Sequence, residues 1–174
     1  MRDRKADTTP SLRYVDPSAP RSALYRGYAR LVGTRPVGWL SQKIVWKVDP
    51  WLLRVTGGRI GAGLFLPTAL LETRGARTGQ RRANGVIYFH DRERVTVIAS
   101  KRGLPAHPAW FHNLRAHPDV RLGGHPFRAQ VIDDQAERER LWELADRVFP
   151  PYASYRTRAA RAGRTIPIVQ LTPR

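Results

Sequence analysis

Arg74, Arg77, Arg81 and Arg82 stand close together beside Gly75 and Gly79, and no acid interrupts them between Glu72 and Asn84. Arginine offers a planar, permanently charged fork that matches phosphate or carboxylate, and glycine admits positive φ, so that backbone N–H groups can converge on one anion. Residues 70–84 therefore read as an anion cradle, with a solvated basic hairpin as the plain competing reading. A second group follows an apolar run: Ala99, Ser100 and Lys101, then His107, Pro108, Ala109, Trp110, Phe111, His112 and Asn113. A strand ending in a hydroxyl and a cation, ahead of a helix start, can hold phosphate through helix N–H groups while an indole backs a flat ring. Asn113 would add a directional hydrogen bond. Taken singly, Trp110 and Phe111 read first as core, and their company with the arginine-rich turn is what points to a site.

Other chemistries fit poorly. His107, His112 and His117 recur at intervals of five, which on a helix scatters them over different faces, and no carboxylate or cysteine stands at ligand spacing, so no metal site is expected. No GxSxG elbow marks a nucleophilic serine. The glycine-rich residues 57–63 neither follow a strand nor fit GxGxxG, and read as a mobile connector. The chain lacks cysteine, which removes disulfide and thiolate chemistry and leaves any redox role to a bound cofactor.

These groups need elements to position them. Strands are expected over residues 68–73, 84–90 and 94–100, with a turn at Asp91, Arg92 and Glu93; Val95, Val97 and Ala99 alternate with Thr96, Ile98 and Ser100, which implies burial on both faces. Pro108 opens a helix that Pro118 stops. A hairpin over residues 120–132 turns at Gly123, Gly124, His125 and Pro126. Asp134 with Glu137 resembles a capping box and opens a helix to Val148, whose Leu141, Trp142, Leu144, Ala145 and Val148 form one face. A short helix carries Tyr152 and Tyr155, and a last strand spans residues 166–171. About six strands with interposed helices and no βαβ repeat predict a mainly β (α+β) protein built on a small antiparallel barrel.

The 174 residues divide into a basic, partly flexible N-terminal arm over 1–40 and one domain over 41–174. Within the arm, Tyr25 and Tyr28 suggest one short helix and Tyr14 an anchor. Residues 39–55 read as an amphipathic helix, with Trp39 and Trp51 beside Lys43, Lys47 and Arg54, a pattern that suits ordinary core packing or contact with an anionic membrane. No apolar run reaches the roughly 20 residues of a span, so the expected location is the cytoplasm, extending to the inner face of the plasma membrane as a peripheral protein. The formal charge of +17 indicates an acidic partner. A basic barrel that stacks and binds nucleic acid, and a non-catalytic carrier of an anionic cofactor, are the alternatives to an enzyme.

The motifs TRGARTGQRRAN (residues 73–84), VTVIASKRGLPAHPAWFHNLRAHPDV (95–120) and the tail from Phe149 to Leu171 together resemble the deazaflavin-dependent nitroreductase family of actinobacteria. The resemblance covers about Gln42 to Pro173 and implies a split β-barrel of the flavin-reductase type, to which the N-terminal helical arm before Ser41 is an addition without a counterpart. It implies an oxidoreductase that binds reduced 8-hydroxy-5-deazaflavin (coenzyme F-420) and passes a hydride to a quinone, nitroaromatic or similar acceptor. On that resemblance Arg77, Thr78 and Arg82 hold the coenzyme's phosphate and anionic tail. Asn84, Gly85, Val86, Ile87, Ala99, Ser100 and Lys101 line the deazaflavin, and Ala109, Trp110 and Asn113 complete the pocket. Ser100 and Tyr152 are the candidate catalytic groups, and Phe149, Tyr152 and Tyr155 face the acceptor. The sequence departs from the family's frequent residues at Arg77 (often Lys), at Arg81 and Gly85 (often Pro), and at Ile87 and Phe149 (often Tyr), so two hydroxyls near the acceptor are missing. The resemblance implies a small-molecule partner and no nucleic acid, and leaves monomer and homodimer open.

Overall fold

The computed structural model describes residues 12–33 and 66–174. The amphipathic helix expected over 39–55 and the glycine-rich connector over 57–63 lie outside the described residues. In chain order the elements are α1 (Ala23–Gly33), β1 (Thr68–Arg74), β2 (Arg81–Asp91), β3 (Arg94–Ile98), a 3-10 turn (Lys101–Gly103), α2 (Ala109–Ala116), β4 (Asp119–Leu122), β5 (His125–Val131), α3 (Gln135–Val148), α4 (Tyr152–Arg161) and β6 (Ile168–Pro173). The six strands close into an antiparallel barrel in the order β1-β2-β3-β6-β5-β4. This is the barrel that the strand count and the absence of βαβ units predict.

Local chemistry sets most boundaries. Gly123 and Gly124, at φ 56° and 88°, form the two-residue β4–β5 turn, where two positive-φ residues match the twist of the flanking strands. Pro108 caps α2 at its start. Asp134 accepts the Glu137 N–H at 2.8 Å, which is one half of a capping box. The Glu137 carboxylate turns instead to Arg140, so the reciprocal half is replaced by an ion pair.

Alternation along the strands places Leu71, Val97, Leu122, Val169 and Leu171, all 0% exposed, on the inner face of the barrel. On the outer face of β2, β3 and β6, Phe89, Ile98 and Ile168 are buried in the same cluster as Leu141, Ala145 and Val148 of α3. That cover explains why β3 is apolar on both faces. Arg140 of α3 clasps Asp91 with two hydrogen bonds, and Gln170 joins the same carboxylate at 3.0 Å.

The arm is packed rather than loose where it is described. Val15 and His90 exchange hydrogen bonds, Val15 N–H to His90 Nδ1 at 3.0 Å and His90 N–H to the Val15 carbonyl at 2.9 Å. The Tyr25 hydroxyl of α1 donates to the Val148 carbonyl at 2.6 Å. Tyr14 stacks against His90 but stays 62% exposed, so the buried Val15 and Tyr25 are the stronger anchors. Among the described residues no helix is long and apolar enough to cross a membrane.

Candidate active site

The β1–β2 connection is a tight turn whose backbone satisfies itself. Gly75 N–H donates to the Gln80 carbonyl at 2.8 Å and Gly79 N–H to the Gly75 carbonyl at 2.9 Å. Gly79 has φ +67°, whereas Gly75 is required for space: a Cβ there would lie 2.9 Å from Thr78 Oγ1 and 3.2 Å from the Gln80 carbonyl. The cradle of converging N–H groups is thus smaller than the glycines suggest. Those of Gly75 and Gly79 are engaged within the turn, and among the described residues Arg77 and Thr78 keep theirs.

Strand β2 begins at Arg81, not Asn84, so Arg81 and Arg82 belong to the strand and only Arg77 rides the turn. Because side chains alternate, the pairing of Thr73 with Arg82 and Leu71 with Asn84 puts Arg82 and Asn84 on the inner-face side at the barrel rim. Arg74 and Arg81 oppose each other on the outer side. Arg82 is steadied by a 3.0 Å bond to Gln80 Oε1. None of Arg74, Arg77, Arg81 and Arg82 has a carboxylate partner among the described residues. Arg77 on the turn and Arg82 on the inner-face side, with the Thr78 hydroxyl and free N–H groups between them, fit a phosphodiester with an acidic tail.

Asn113 of α2 fastens this turn. Its Nδ2 donates to Thr73 Oγ1 at 3.1 Å, and its Oδ1 accepts the Ala76 N–H at 3.0 Å. Both ends of the carboxamide are occupied by the turn, which gives Asn113 a holding role in the molecule as it stands. Thr73, 3% exposed, is a residue that the sequence reading passes over.

Ala99, Ser100 and Lys101 leave β3 toward the same end of the barrel as the arginine turn, since β3 runs antiparallel to β2. Ala99 is fully buried and Ser100 half-buried. Lys101 Nζ donates to the His107 carbonyl at 3.3 Å. Two further arginines reach this corner: Arg158 donates to the Arg102 carbonyl at 2.8 Å, and Arg164 donates to the carbonyl of Ser100 at 2.5 Å. Nothing in the sequence singles out Arg164, one cation among 31 Lys and Arg, as buried.

Trp110 is 7% and Phe111 4% exposed, so both rings contribute to the core. Ala109 is exposed and Trp110 lies beside it in the first turn of α2. On β2, Gly85 is exposed, Ile87 half-buried and Val86 buried, as alternation requires.

Phe149, Tyr152 and Tyr155 form one aromatic group. The Phe149 and Tyr152 rings meet edge-on at 5.0 Å, Tyr155 lies 6.2 Å from Tyr152, and Trp142 joins at 6.1 Å. Burial pushes the Tyr152 phenol far above its ordinary value and raises that of Tyr155 too. A phenol so shifted is neutral and offers a hydrogen-bond donor.

His107 precedes α2 rather than lying on it, and its ring comes within 5.9 Å of His112. The two are therefore neighbours, contrary to helical spacing. Among the described residues no group of three or more His, Cys, Asp or Glu gathers as metal ligands would.

The chain is similar to an F420H(2)-dependent quinone reductase of Mycobacterium tuberculosis strain H37Rv, with 33% identity over 147 residues that cover 78% of this chain and 97% of that protein. Among solved structures it is similar to an F420-H2 dependent reductase, with 33% identity, a TM-score of 0.53, and coverage of 60% of this chain and 93% of the other. A second, described as a domain-swapped dimer, shares 28% identity at a TM-score of 0.55 over 79% of this chain and 99% of its own. The model of the F420H(2)-dependent quinone reductase family matches residues 46–173, most of the length, and the chain belongs to that family.

Proposed function

We propose that this chain is an oxidoreductase that reduces a quinone or similar electrophilic acceptor, the reduced deazaflavin coenzyme supplying the hydride when bound. The observation that carries the reading, beyond family membership, is the Asn113 bridge. It fixes the arginine turn against α2 at the barrel end where Ser100 and Lys101 emerge. Arg77, Thr78 and Arg82 hold the phosphate and acidic tail. Gly85 and Ile87 of β2, with Ser100, Lys101 and Ala109, line a flat slot, Asn84 stands at its rim, and the buried Val86, Ala99 and Trp110 back it from the core. Phe149, Tyr152 and Tyr155 shape the acceptor side.

The protein's contribution is positioning and exclusion of water. Protonation of the acceptor falls to water, the Ser100 hydroxyl or the Tyr152 phenol. Residues 41–174 are the coenzyme-binding unit and residues 1–40 the arm.

The test is a fluorescence titration of the purified chain with the coenzyme, followed by addition of menadione to the reduced complex. Saturable binding and loss of the reduced form's signal are expected. Binding without turnover would make the chain a carrier, and no saturable binding at micromolar protein would end the reading.

A further inference from the structure

Lys101, Arg102 and Gly103 have φ of 42°, 57° and 75°. Three consecutive left-handed residues, two of them with side chains, follow directly on Ser100. Such backbone persists only where its surroundings over-determine it. Here the surroundings come from the C-terminal segment. A Cβ on Gly103 would lie 2.5 Å from the Tyr155 carbonyl, so α4 presses directly on the corner. Arg158 takes the Arg102 carbonyl. Arg164 takes two more, Ser100 at 2.5 Å and Ala99 at 3.3 Å.

Arg164 is an unusual residue to find there. It is 7% exposed, has no carboxylate partner among the described residues, and its buried Nε–H lacks an acceptor. Proteins do not gain stability by burying an unpaired cation. Its last contact is Nη1 to His107 Nδ1 at 3.1 Å. A guanidinium can only donate, so His107 accepts at Nδ1 and carries its proton on Nε2.

We infer that Arg164 is a positioning residue that fixes the Ser100–Gly103 corner, through the Ala99 and Ser100 carbonyls, in the shape that receives the coenzyme. The inference rests on the proposed function for its purpose, though not for its mechanics. Burial, then the charges of Arg164, His112, Arg115 and Lys101, lower the pKa of His107. Asp133 and Arg138 line the same open groove of about 390 Å³ as His107.

The experiment compares the full chain with Arg164→Gln and Arg164→Lys by three readouts: amide exchange at Gly103, NMR titration of the His107 imidazole, and coenzyme affinity. In Arg164→Gln, Gly103, whose N–H donates to the Ser100 carbonyl at 2.9 Å, should exchange at least tenfold faster while the β2–β3 ladder is unchanged. His107 should titrate at higher pH, and the coenzyme Kd should rise about tenfold. Arg164→Lys should fall between variant and parent. Parent-like exchange at Gly103 together with parent-like affinity overturns the inference. If Arg164→Gln does not fold, Arg164→Lys, which keeps the charge but loses the fork that spans the Ala99 and Ser100 carbonyls, carries the test. Faster exchange confined to residues 100–104 then supports it, and uniform acceleration across the barrel refutes it. Should the parent itself fail to bind the coenzyme, the proposed function falls, while exchange and titration still decide whether Arg164 holds the corner.

Discussion

The Asn113 side-chain oxygen accepts the Ala76 backbone N–H at 3.0 Å, although the two residues stand 37 positions apart in the chain. With the Thr73 bond it makes a two-point latch between α2 and the arginine turn. Asn113→Ala should cost about 1–2 kcal/mol of stability for two hydrogen bonds and weaken coenzyme binding about tenfold. Asn113→Asp should recover most of the affinity, because it still accepts from Ala76 and the Thr73 hydroxyl can rotate to donate. Thermal unfolding and fluorescence titration measure both, and parent-like affinity in Asn113→Ala would separate the latch from the site.

The register distinguishes arginines that composition treats alike. Arg82 shares a face with Thr73 and Asn84, while Arg81 faces Arg74 on the outside. Arg82→Ala should weaken coenzyme binding at least tenfold, as expected for loss of a charge-assisted contact to phosphate. Arg81→Ala should change it by less than about threefold and mainly alter the salt dependence. Equal losses at both positions would mean that diffuse charge, not a site, holds the ligand.

Two glycines separate crowding from conformation. Gly75→Ala would set a methyl 2.9 Å from Thr78 Oγ1 and force the turn open, costing about 1–3 kcal/mol as overpacking and most of the coenzyme affinity. Gly163, at φ +67° with nothing within 4 Å of an added Cβ, should cost about 1 kcal/mol as alanine through the left-handed backbone alone and leave binding intact. Chemical denaturation beside ligand titration gives both numbers.

Docking of the arm should depend on pH. Burial lowers the pKa of His90 from its ordinary 6.5, and its Nδ1 accepts from Val15. The docked state thus binds fewer protons than the undocked one, and stability rises with pH across that interval. Docking should be at full strength above about pH 6.5 and weaken as the pH falls through 6.5 toward the lowered value. Amide exchange at Val15, corrected for intrinsic rate, should lose protection over that range. In His90→Phe the protection should already be low and insensitive to pH.

The order of elements was legible because punctuation is local. Gly123–Gly124, Pro108, Pro118 and Asp134 each impose or stop a conformation within a few residues. What could not be read depends on contacts distant in sequence. The direction of Arg82 follows from pairing with Thr73. The engagement of Asn113 follows from where α2 comes to rest, and the corner at Lys101 follows from an arginine 63 positions later in the chain's numbering. Gly75 was legible as important and misleading as to why, since a close approach and a positive φ leave the same letter in the sequence. The aromatic motif around Phe149 stood out, but the burial of Tyr152 within it did not.

The family match begins at residue 46, yet the segment from Val15 to Tyr25 is bonded to β2 and to the end of α3. Homology and folding therefore draw different borders on this molecule. A version trimmed to the matched region would uncover the barrel end around Tyr88 and His90, strip the Val148 carbonyl of its donor, and present apolar surface to other molecules. Its aggregation would report on a missing lid and not on a defective catalyst.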